Sequence, residues 1–316
     1  MNFWHKLPKP FTVLAPMEAV TDYAFREIVA KYDKPDVLFT EFTSSDALLS
    51  DGYSKTIGRL AFSNIQKPIV AQVWGNNVTN LAKTAELVSN LGFDGIDINM
   101  GCPDKNVMKK GCGSALIGNK ILVTKIVNEI KKVTPQLPIS IKTRIGIKNI
   151  ETEDWIGFLL TLPVEAITIH LRTAQEKSLV PAKWNEMQKI VSLRNSINRK
   201  TIIIGNGDIK NLNEVNEKYL LYKMDGAMLG RGIFSNFFVF NKMQQPNPKK
   251  QLIKIMQEHT NLHNKIYGEN GNFNDMKKFY KMYIREFRGA SELKNLLMGC
   301  KNYNEAYKII NKYNNS

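Results

Sequence analysis

The chain has 316 residues, of which 43% are hydrophobic and 23% are charged, as expected of a folded protein with a sizeable core. No apolar run approaches the roughly 18 residues that span a bilayer, and the start, MNFWHKLPKPF, has no signal-peptide core. Three cysteines without a CxxC or HExxH motif argue against a disulfide framework and a zinc site. We therefore expect a cytoplasmic protein with reduced thiols, no metal and no membrane segment.

The positive charge is distributed unevenly along the chain. The formal net charge is +15, and residues 241–316 hold 14 Lys and Arg against 6 Asp and Glu, a net of +8. A positive C-terminal region fits a polyanionic partner such as nucleic acid. A Lys- and Asn-rich genome composition would explain the same counts, so charge alone leaves both interpretations open.

Eight short β-rich runs occur in the first 240 residues. They are TVLAP (from 12), DVLFTEF (36), PIVAQVWG (68), GIDINMGCP (95), PISIKTRIG (138), AITIHLRT (166), TIIIGNGDI (201) and GAMLGRGI (226). Helical patterns such as those at 80–92 and 121–133 separate most of them, which indicates parallel pairing. The number and spacing of the runs predict a (β/α)8 TIM barrel. A doubly wound sheet usually has fewer strands and often a GxGxxG motif after the first, which is absent.

Polar residues follow these runs at their carboxyl ends, where the strand ends of a barrel converge on one face. They are Met17 and Glu18 after the first run, Gln72 in the third, Asn99 and Cys102 in the fourth, Lys142 and Arg144 in the fifth, His170 and Arg172 in the sixth, Asn206 and Asp208 in the seventh, and Arg231 in the eighth. We expect the active site on this face.

The barrel is predicted to end near residue 240. Residues 241–250, NKMQQPNPKK, have the composition of a linker, and residues 251–316 show only amphipathic helical patterns. The predicted architecture is an α/β TIM barrel over 1–240 followed by a small all-α domain over 251–316.

The last two runs contain glycine-rich turns, IGNGD (204–208) and MLGRG (228–232). In barrels these loops often bind phosphate, because glycine lets backbone N–H groups approach the anion, and Arg231 adds charge. Lys142 and His170 would face the mouth, where a fixed cation stabilises a reduced flavin, and Gln72 and Asn99 can bond the amide-like edge of its ring. Two tight turns and internally satisfied polar side chains are the alternative explanation.

Cys102, in DINMGCP (97–103), allows two interpretations. It is either an inert buried thiol or, at the strand tip, a general acid, since a thiol with an ordinary pKa is protonated at neutral pH. Cys112 is interpreted as a packing residue. The tail segment MKKFYKMYIREFRG alternates basic residues with Phe279, Met282, Tyr283 and Phe287, and it is either an ordinary surface helix or a phosphate-contacting one.

The ordered motifs LAPMEAVTD, AQVWG, DINMGCP, KKGCGSAL, IKTRIG, TIHLRT, IGNGD, LGRG and MKKFYKMYIREFRGASEL resemble the bacterial tRNA-dihydrouridine synthases over nearly the whole chain. The resemblance implies FMN-dependent reduction of uridine to 5,6-dihydrouridine in tRNA, with NADPH as electron source. It further implies hydride transfer from reduced FMN to C6 and proton transfer from Cys102 to C5, in a protein expected to be monomeric.

The resemblance also implies residue roles. FMN would be bound by Pro16, Met17, Glu18, Gln72, Asn99, Lys142, His170, Asn206, Gly207, Asp208, Gly230 and Arg231, with Asn99 between flavin and uracil. The candidates for tRNA contact are Asn99, Arg144, Arg172, Lys109, Lys110, Lys277, Lys278, Lys281, Arg285 and Arg288. Leu171, Cys112 and Glu18 depart from common choices of the family and could affect loop packing or substrate choice.

Two other functions fit the same residues. One is a flavin barrel acting on a free pyrimidine, which would be little affected by loss of the tail. The other is an RNA-binding protein without catalysis, which would purify colourless. No motif indicates which uridine would be reduced.

Overall fold

The structure, a computed structural model, describes residues 2–241, 248–268, 272–285 and 287–314. These ranges contain nine strands: β1 (Phe11–Leu14), β2 (Leu38–Phe39), β3 (Thr43–Ser44), β4 (Ile69–Trp74), β5 (Gly95–Met100), β6 (Ile139–Arg144), β7 (Ala166–His170), β8 (Ile202–Asn206) and β9 (Gly226–Leu229). Every strand pair is parallel, in the order β1-β9-β8-β7-β6-β5-β4-β2. A parallel bridge between Val13 and Val37 joins the two ends, so the predicted eight-stranded barrel is confirmed.

The second predicted strand is shorter than expected. Its run, 36–42, contributes only β2 to the barrel wall, and β3 follows separately, paired to the end of β4. The side-chain hydroxyl of Thr40 donates to the carbonyl of Glu41 between them, a local bond that competes with regular pairing.

Helices surround the barrel and form the C-terminal region. They are α1 (Tyr23–Tyr32), α2 (Ser45–Leu48), α3 (Tyr53–Thr56), α4 (Val78–Asn90), α5 (Lys105–Lys109), α6 (Lys120–Val133), α7 (Gly157–Leu159), α8 (Glu186–Ile197), α9 (Leu212–Tyr222), α10 (Gly232–Ser235), α11 (Pro248–Tyr267), α12 (Asn274–Tyr283), α13 (Ala290–Gly299) and α14 (Tyr303–Asn314). The predicted patterns at 80–92 and 121–133 correspond to α4 and α6. Asn77 and Asn119 cap these two helices by accepting bonds from backbone N–H groups of the first turn.

Strand register stacks polar side chains in layers inside the upper barrel. Directly paired residues of neighbouring strands point to the same side of the sheet. The layers are, from the middle of the barrel to its mouth, Gln72–Asp97–Ser140, Asn99–Lys142–Thr168 and Arg144–His170–Asn206. The barrel therefore carries its chemistry at the carboxyl ends of the strands.

The C-terminal helices pack onto the barrel through α1. The rings of Phe25 and Phe279 stack with centroids 5.1 Å apart, and buried His259 lies against Phe279 and bonds the Tyr283 hydroxyl at 2.9 Å. After residue 241 the described residues form helices and connections, as predicted. Six residues of the expected linker, 242–247, lie outside the described ranges, and 248–250 already belong to α11. Within the described chain, no helix combines the length and apolarity needed to cross a membrane.

Candidate active site

A cavity of about 700 Å³ opens at the carboxyl ends of the strands. Of the residues predicted for the site, it is lined by Pro16, Met17, Lys142, Arg144, His170, Arg172, Asn206, Gly207, Asp208, Gly230 and Arg231. These residues come from β1 and β6–β9 and the loops that follow them. The structure thus brings together most of the predicted cofactor-binding residues.

One wall of the cavity is built around Asp208. Its carboxylate accepts bonds from Arg172 and the Ala182 N–H, and it lies 3.4 Å from Arg231. Burial alone would raise the pKa of this carboxyl, but the bonds and charge of Arg172 lower it below the ordinary value. The preceding Gly207 has φ +136°, and a Cβ there would lie 2.7 Å from the Ala182 Cβ, so this turn requires glycine.

Lys142 and His170 project into the cavity from adjacent strands. Lys142 Nζ donates to Asn206 Oδ1 at 3.3 Å, and burial lowers the Lys142 pKa to about 8. Burial, with Arg144 and Lys142 nearby, holds the His170 pKa far below its usual range, so the imidazole is neutral. Its buried Nδ1 has no hydrogen-bond partner among the described residues.

Cys102 lies half-buried in the loop after β5. Its backbone N–H donates to Asn99 Oδ1 at 2.9 Å, and its carbonyl accepts bonds from the Ser114 hydroxyl and N–H. Burial raises the pKa of the Cys102 thiol, which keeps it protonated at neutral pH. Cys112 is almost fully buried and burial raises its thiol pKa to about 11, in agreement with a packing role.

A buried polar network lies beneath Cys102. Gln72 and Asn99, both predicted to bond the flavin, bond each other, with Asn99 Nδ2 donating to Gln72 Oε1 at 3.0 Å. Gln72 Nε2 donates in turn to Asp97 Oδ2 at 2.7 Å, and the Ser140 hydroxyl donates to Asp97 Oδ1 at 2.6 Å. Sequence reasoning missed Asp97, although a carboxylate between two buried isoleucines of a central strand is itself a signal.

Three predicted residues are placed differently from expectation. The Glu18 carboxylate turns to Arg59, with N–O distances of 2.6 and 2.9 Å, and does not line the cavity. Arg144 donates to the carbonyls of Gly101, Thr173 and Lys177 and holds two loops together.

Arg172, a predicted RNA contact, is the third of these residues. It is 2% exposed and donates to Asp208 and the Val180 carbonyl. A side chain this buried orders the cavity wall and does not present charge at the surface.

Apart from Asn99 in β5, the remaining predicted RNA contacts lie on two helices or directly after them. Lys109 and Lys110 are exposed at the end of α5, and Lys281, Arg285 and Arg288 are exposed in and after α12. Lys277 and Lys278 are partly exposed and lie over the rings of Phe273 and Phe279. Arg285 donates to the carbonyl of Ser235, a residue of the cavity rim, so the basic helix reaches the cavity. Phe279, Met282 and Tyr283 are buried, as predicted for the apolar side of this helix.

The cavity suits an anionic ring-containing ligand such as a flavin phosphate. Its volume is within the usual range for small-molecule sites, roughly 300–1,000 Å³. Lys142 and Arg231 supply positive charge, and the buried Thr168 hydroxyl is, like His170 Nδ1, without a partner among the described residues. Buried polar atoms without a partner close to a cationic cavity of this size favour a bound ligand over a closed core.

Known proteins resemble the chain over almost its whole length. Residues 13–315 match the family model described as Dihydrouridine synthase (Dus). The chain is 40% identical over 315 residues to the probable tRNA-dihydrouridine synthase of Staphylococcus aureus strain COL, covering 99% of this chain and 95% of the relative. It is 39% identical over 315 residues to the probable tRNA-dihydrouridine synthase 2 of Bacillus subtilis strain 168, covering 99% and 96%.

A solved structure is similar at the level of fold. The structure of a variant of NCR from Zymomonas mobilis matches with a TM-score of 0.51 and 14% identity, over 75% of this chain and 86% of that chain. At this identity the match supports the barrel architecture alone.

Proposed function

The chain belongs to the dihydrouridine synthase family, and from that membership we propose that it reduces uridine to 5,6-dihydrouridine in tRNA. The observation that carries the proposal for this site is the half-buried thiol of Cys102, kept protonated by burial and close to Arg144 and Lys142, which line the cavity. Reduction of the C5–C6 bond needs a hydride and a proton, and the proposal assigns them to different donors.

The proposed cofactor is FMN, with NADPH as electron source. Bound reduced FMN supplies the hydride for C6 of the uracil. Arg231 and the glycine-containing turns at Gly207 and Gly230 would bind the phosphate, and Pro16 and Met17 would contact the flavin. Lys142 and His170 would bind the ring region, with Lys142 stabilising negative charge.

Cys102 is the proposed catalytic acid. It holds its proton on Sγ, and its backbone is fixed on both sides by Asn99 and Ser114. As the hydride reaches C6, negative charge develops at C5 and O4, and the thiol delivers its proton to C5. The raised thiol pKa favours the protonated form that this step requires.

The proposed domain organisation assigns tRNA binding to the tail. Residues 1–240 would form the catalytic barrel, 241–250 the connection and 251–316 the RNA-binding helical domain. The exposed cations of α12 and the loop after it, together with Lys109 and Lys110, offer contacts to a phosphate backbone. A uridine in a structured RNA must leave its stack to enter the cavity, so backbone contacts near the rim would hold the RNA in place.

The test of the proposed function begins with the purified protein. We expect flavin absorbance after gentle purification and dihydrouridine formation on an unmodified tRNA transcript with NADPH. Equal turnover of free uracil or uridine would instead favour a small-molecule enzyme, and colourless protein that still binds tRNA would favour a binding protein. Mapping dihydrouridine in tRNA from cells lacking the gene, with and without complementation, identifies the reduced position.

A further inference from the structure

We propose that Asp97 is a positioning residue, which sets the direction of the hydrogen bonds through Gln72 and Asn99 and thereby the position of Cys102. The inference deepens the proposed function and rests on Cys102 being the acid of that reaction.

Asp97 occupies the centre of β5, fully buried between Ile96 and Ile98. A buried carboxylate is costly unless its oxygens accept hydrogen bonds. Both oxygens do so, Oδ1 from the Ser140 hydroxyl and Oδ2 from Gln72 Nε2. The site is therefore built to hold a carboxylate, although an apolar residue would be the cheaper choice for a strand interior.

The ionised carboxylate of Asp97 favours one direction for the series of hydrogen bonds that runs through Gln72 and Asn99 to Cys102. It can only accept hydrogen bonds, so the amide of Gln72 must turn its NH₂ group towards Asp97. The oxygen of Gln72 then faces Asn99 and accepts from its Nδ2 at 3.0 Å. Asn99 in turn directs its oxygen away from Gln72.

The other end of this series of hydrogen bonds, at Gly101 and Cys102, requires the same direction. Asn99 Oδ1 accepts from the backbone N–H groups of Gly101 at 3.1 Å and Cys102 at 2.9 Å. Both of these groups can only donate. The carboxylate of Asp97 at one end and the backbone N–H groups at the other favour the same orientation of the Gln72 and Asn99 amides. The turn that carries the Cys102 thiol depends on that orientation.

Asparagine at position 97 would remove the acceptor-only end of this hydrogen-bond chain, so that only the backbone N–H groups of Gly101 and Cys102 hold its direction. The NH₂ group of the asparagine can face Gln72, and in that arrangement Gln72 and Asn99 are reversed and Cys102 N–H faces an NH₂ group in place of an oxygen. A displacement of the thiol on the order of 1 Å is enough to reduce turnover roughly 100-fold. Asp97 itself does not line the cavity, so binding of FMN and tRNA should change less than turnover.

The experiment compares Asp97→Asn, Gln72→Met and the double variant with the wild type, each loaded with FMN. We expect a melting temperature, FMN content and tRNA KM close to wild type for Asp97→Asn, and a lower melting temperature for Gln72→Met, which leaves Asp97 Oδ2 without its donor. With FMN saturating, kcat should be lowered roughly 10- to 100-fold for each single variant. Because Asp97 acts through Gln72, the double variant should be no slower than Gln72→Met alone. Additive effects in this cycle would contradict the proposal.

A second measurement does not depend on turnover. Iodoacetamide alkylation of Cys102 in the FMN-loaded protein, followed by peptide mass spectrometry, reports the position and environment of the thiol. We expect its rate at fixed pH to differ several-fold between Asp97→Asn and wild type, whereas Ser140→Ala, which keeps the chain direction, should differ less. An unchanged rate in Asp97→Asn would refute the proposal. A wild type that is inactive on tRNA but shows the alkylation difference would refute the proposed function and leave the positioning role supported.

Discussion

Cys102 combines partial exposure with a raised thiol pKa. It is accessible enough to meet a ligand, yet burial raises its thiol pKa. A reactive thiolate would need the reverse shift, so the structure favours proton donation over nucleophilic attack.

The first prediction concerns this thiol. Cys102→Ala should keep its FMN and lose dihydrouridine formation by roughly 100- to 10,000-fold, the usual contribution of a general acid. Since the acid must be protonated, wild-type kcat/KM should fall as the pH rises through the thiol pKa, and the raised pKa moves that fall above the ordinary cysteine range. A pH series on unmodified tRNA measures both. Cys112→Ala, a substitution of a buried packing thiol, is the control, and a fully active Cys102→Ala would rule out the acid assignment.

The second prediction concerns Lys142. A cation beside the flavin ring stabilises its reduced, more negative form, so Lys142→Met should lower the midpoint potential of bound FMN. A loss of about 1.4 kcal/mol corresponds to about 30 mV for a two-electron couple, and we expect a shift of that order or larger. Spectroelectrochemistry of the variant gives the value, with exposed Lys148→Met as the control. An unchanged potential would remove Lys142 from the ring region.

Single residues show where sequence reasoning reached its limit. Lys142, His170 and Arg231 could be predicted because each lies near or just after the carboxyl end of a strand, and these ends must face the mouth. Glu18 pairs with Arg59, which lies 41 residues away along the chain. Buried Arg172 donates to Asp208, which lies 36 residues away. No local pattern contains that information.

At the scale of elements, α12 packs with a buried aromatic face and exposes basic charge on its other face. Its aromatic residues are buried against α11 and α1, while Lys281 is exposed on the helix and Arg288 in the loop that follows. Hydrophobic periodicity predicted this separation, because one helix face must be apolar to pack.

The third prediction tests the exposed side of this segment. Lys281→Glu and Arg288→Glu should each weaken tRNA binding and, where the side chain contacts a phosphate, reduce the salt dependence of the binding constant by about one counterion. FMN content should not change. Binding assays between about 50 and 200 mM salt measure this dependence. Lys125→Glu, on exposed α6, provides a matched charge reversal, and an equal loss in that variant would show that only net charge matters.

Strand and helix positions were predictable to the extent that they follow periodicity. The patterns at 80–92 and 121–133 coincide with α4 and α6, and each of the eight β-rich runs contributes a barrel strand. The shortening of the 36–42 run to β2 and the separate strand β3 after it were not predictable, because they depend on where β4 offers partners as well as on Thr40.

At the scale of the whole molecule, the barrel and the tail share apolar contacts. Phe25 of α1 stacks on Phe279 of α12, and Lys31 and Tyr32 both bond Glu258 of α11. Removing the tail would therefore expose the outer side of α1 and destabilise the barrel. Charge reversal on the tail tests RNA binding more cleanly than truncation.

The fourth prediction concerns global stability and pH. Burial raises the pKa of Asp33 to about 7, and its Oδ2 accepts from Phe240 N at 2.8 Å. The folded protein then binds more protons than the unfolded chain between about pH 4 and 7, so its free energy of unfolding falls as pH rises through that window.

Asp33→Asn isolates this effect. The amide keeps an acceptor for Phe240 and does not titrate, so the variant should gain stability relative to the wild type as the pH rises from 4 to 7, by up to a few kcal/mol. Urea unfolding at several pH values gives the difference. A constant difference across the window would show that the folded protein does not perturb this carboxyl. Burial also raises the pKa values of Asp22 and Asp97 to about 6. Both carboxyls are present in the wild type and the variant, so their contributions cancel in the difference.

The junction of β1 and β2 has a consequence for how the two parts of the chain can evolve. Val13 and Val37 form the single parallel bridge that closes the barrel among the described residues, and Thr12 and Leu14 bond to residues 36 and 37 beside it. Helix α1, which connects the two strands, supports the junction from outside. The tail rests on that same helix. A tail from a relative with a different tRNA preference could therefore be grafted onto this barrel only together with a matching outer face of α1, so the two parts are expected to diversify as one inherited unit.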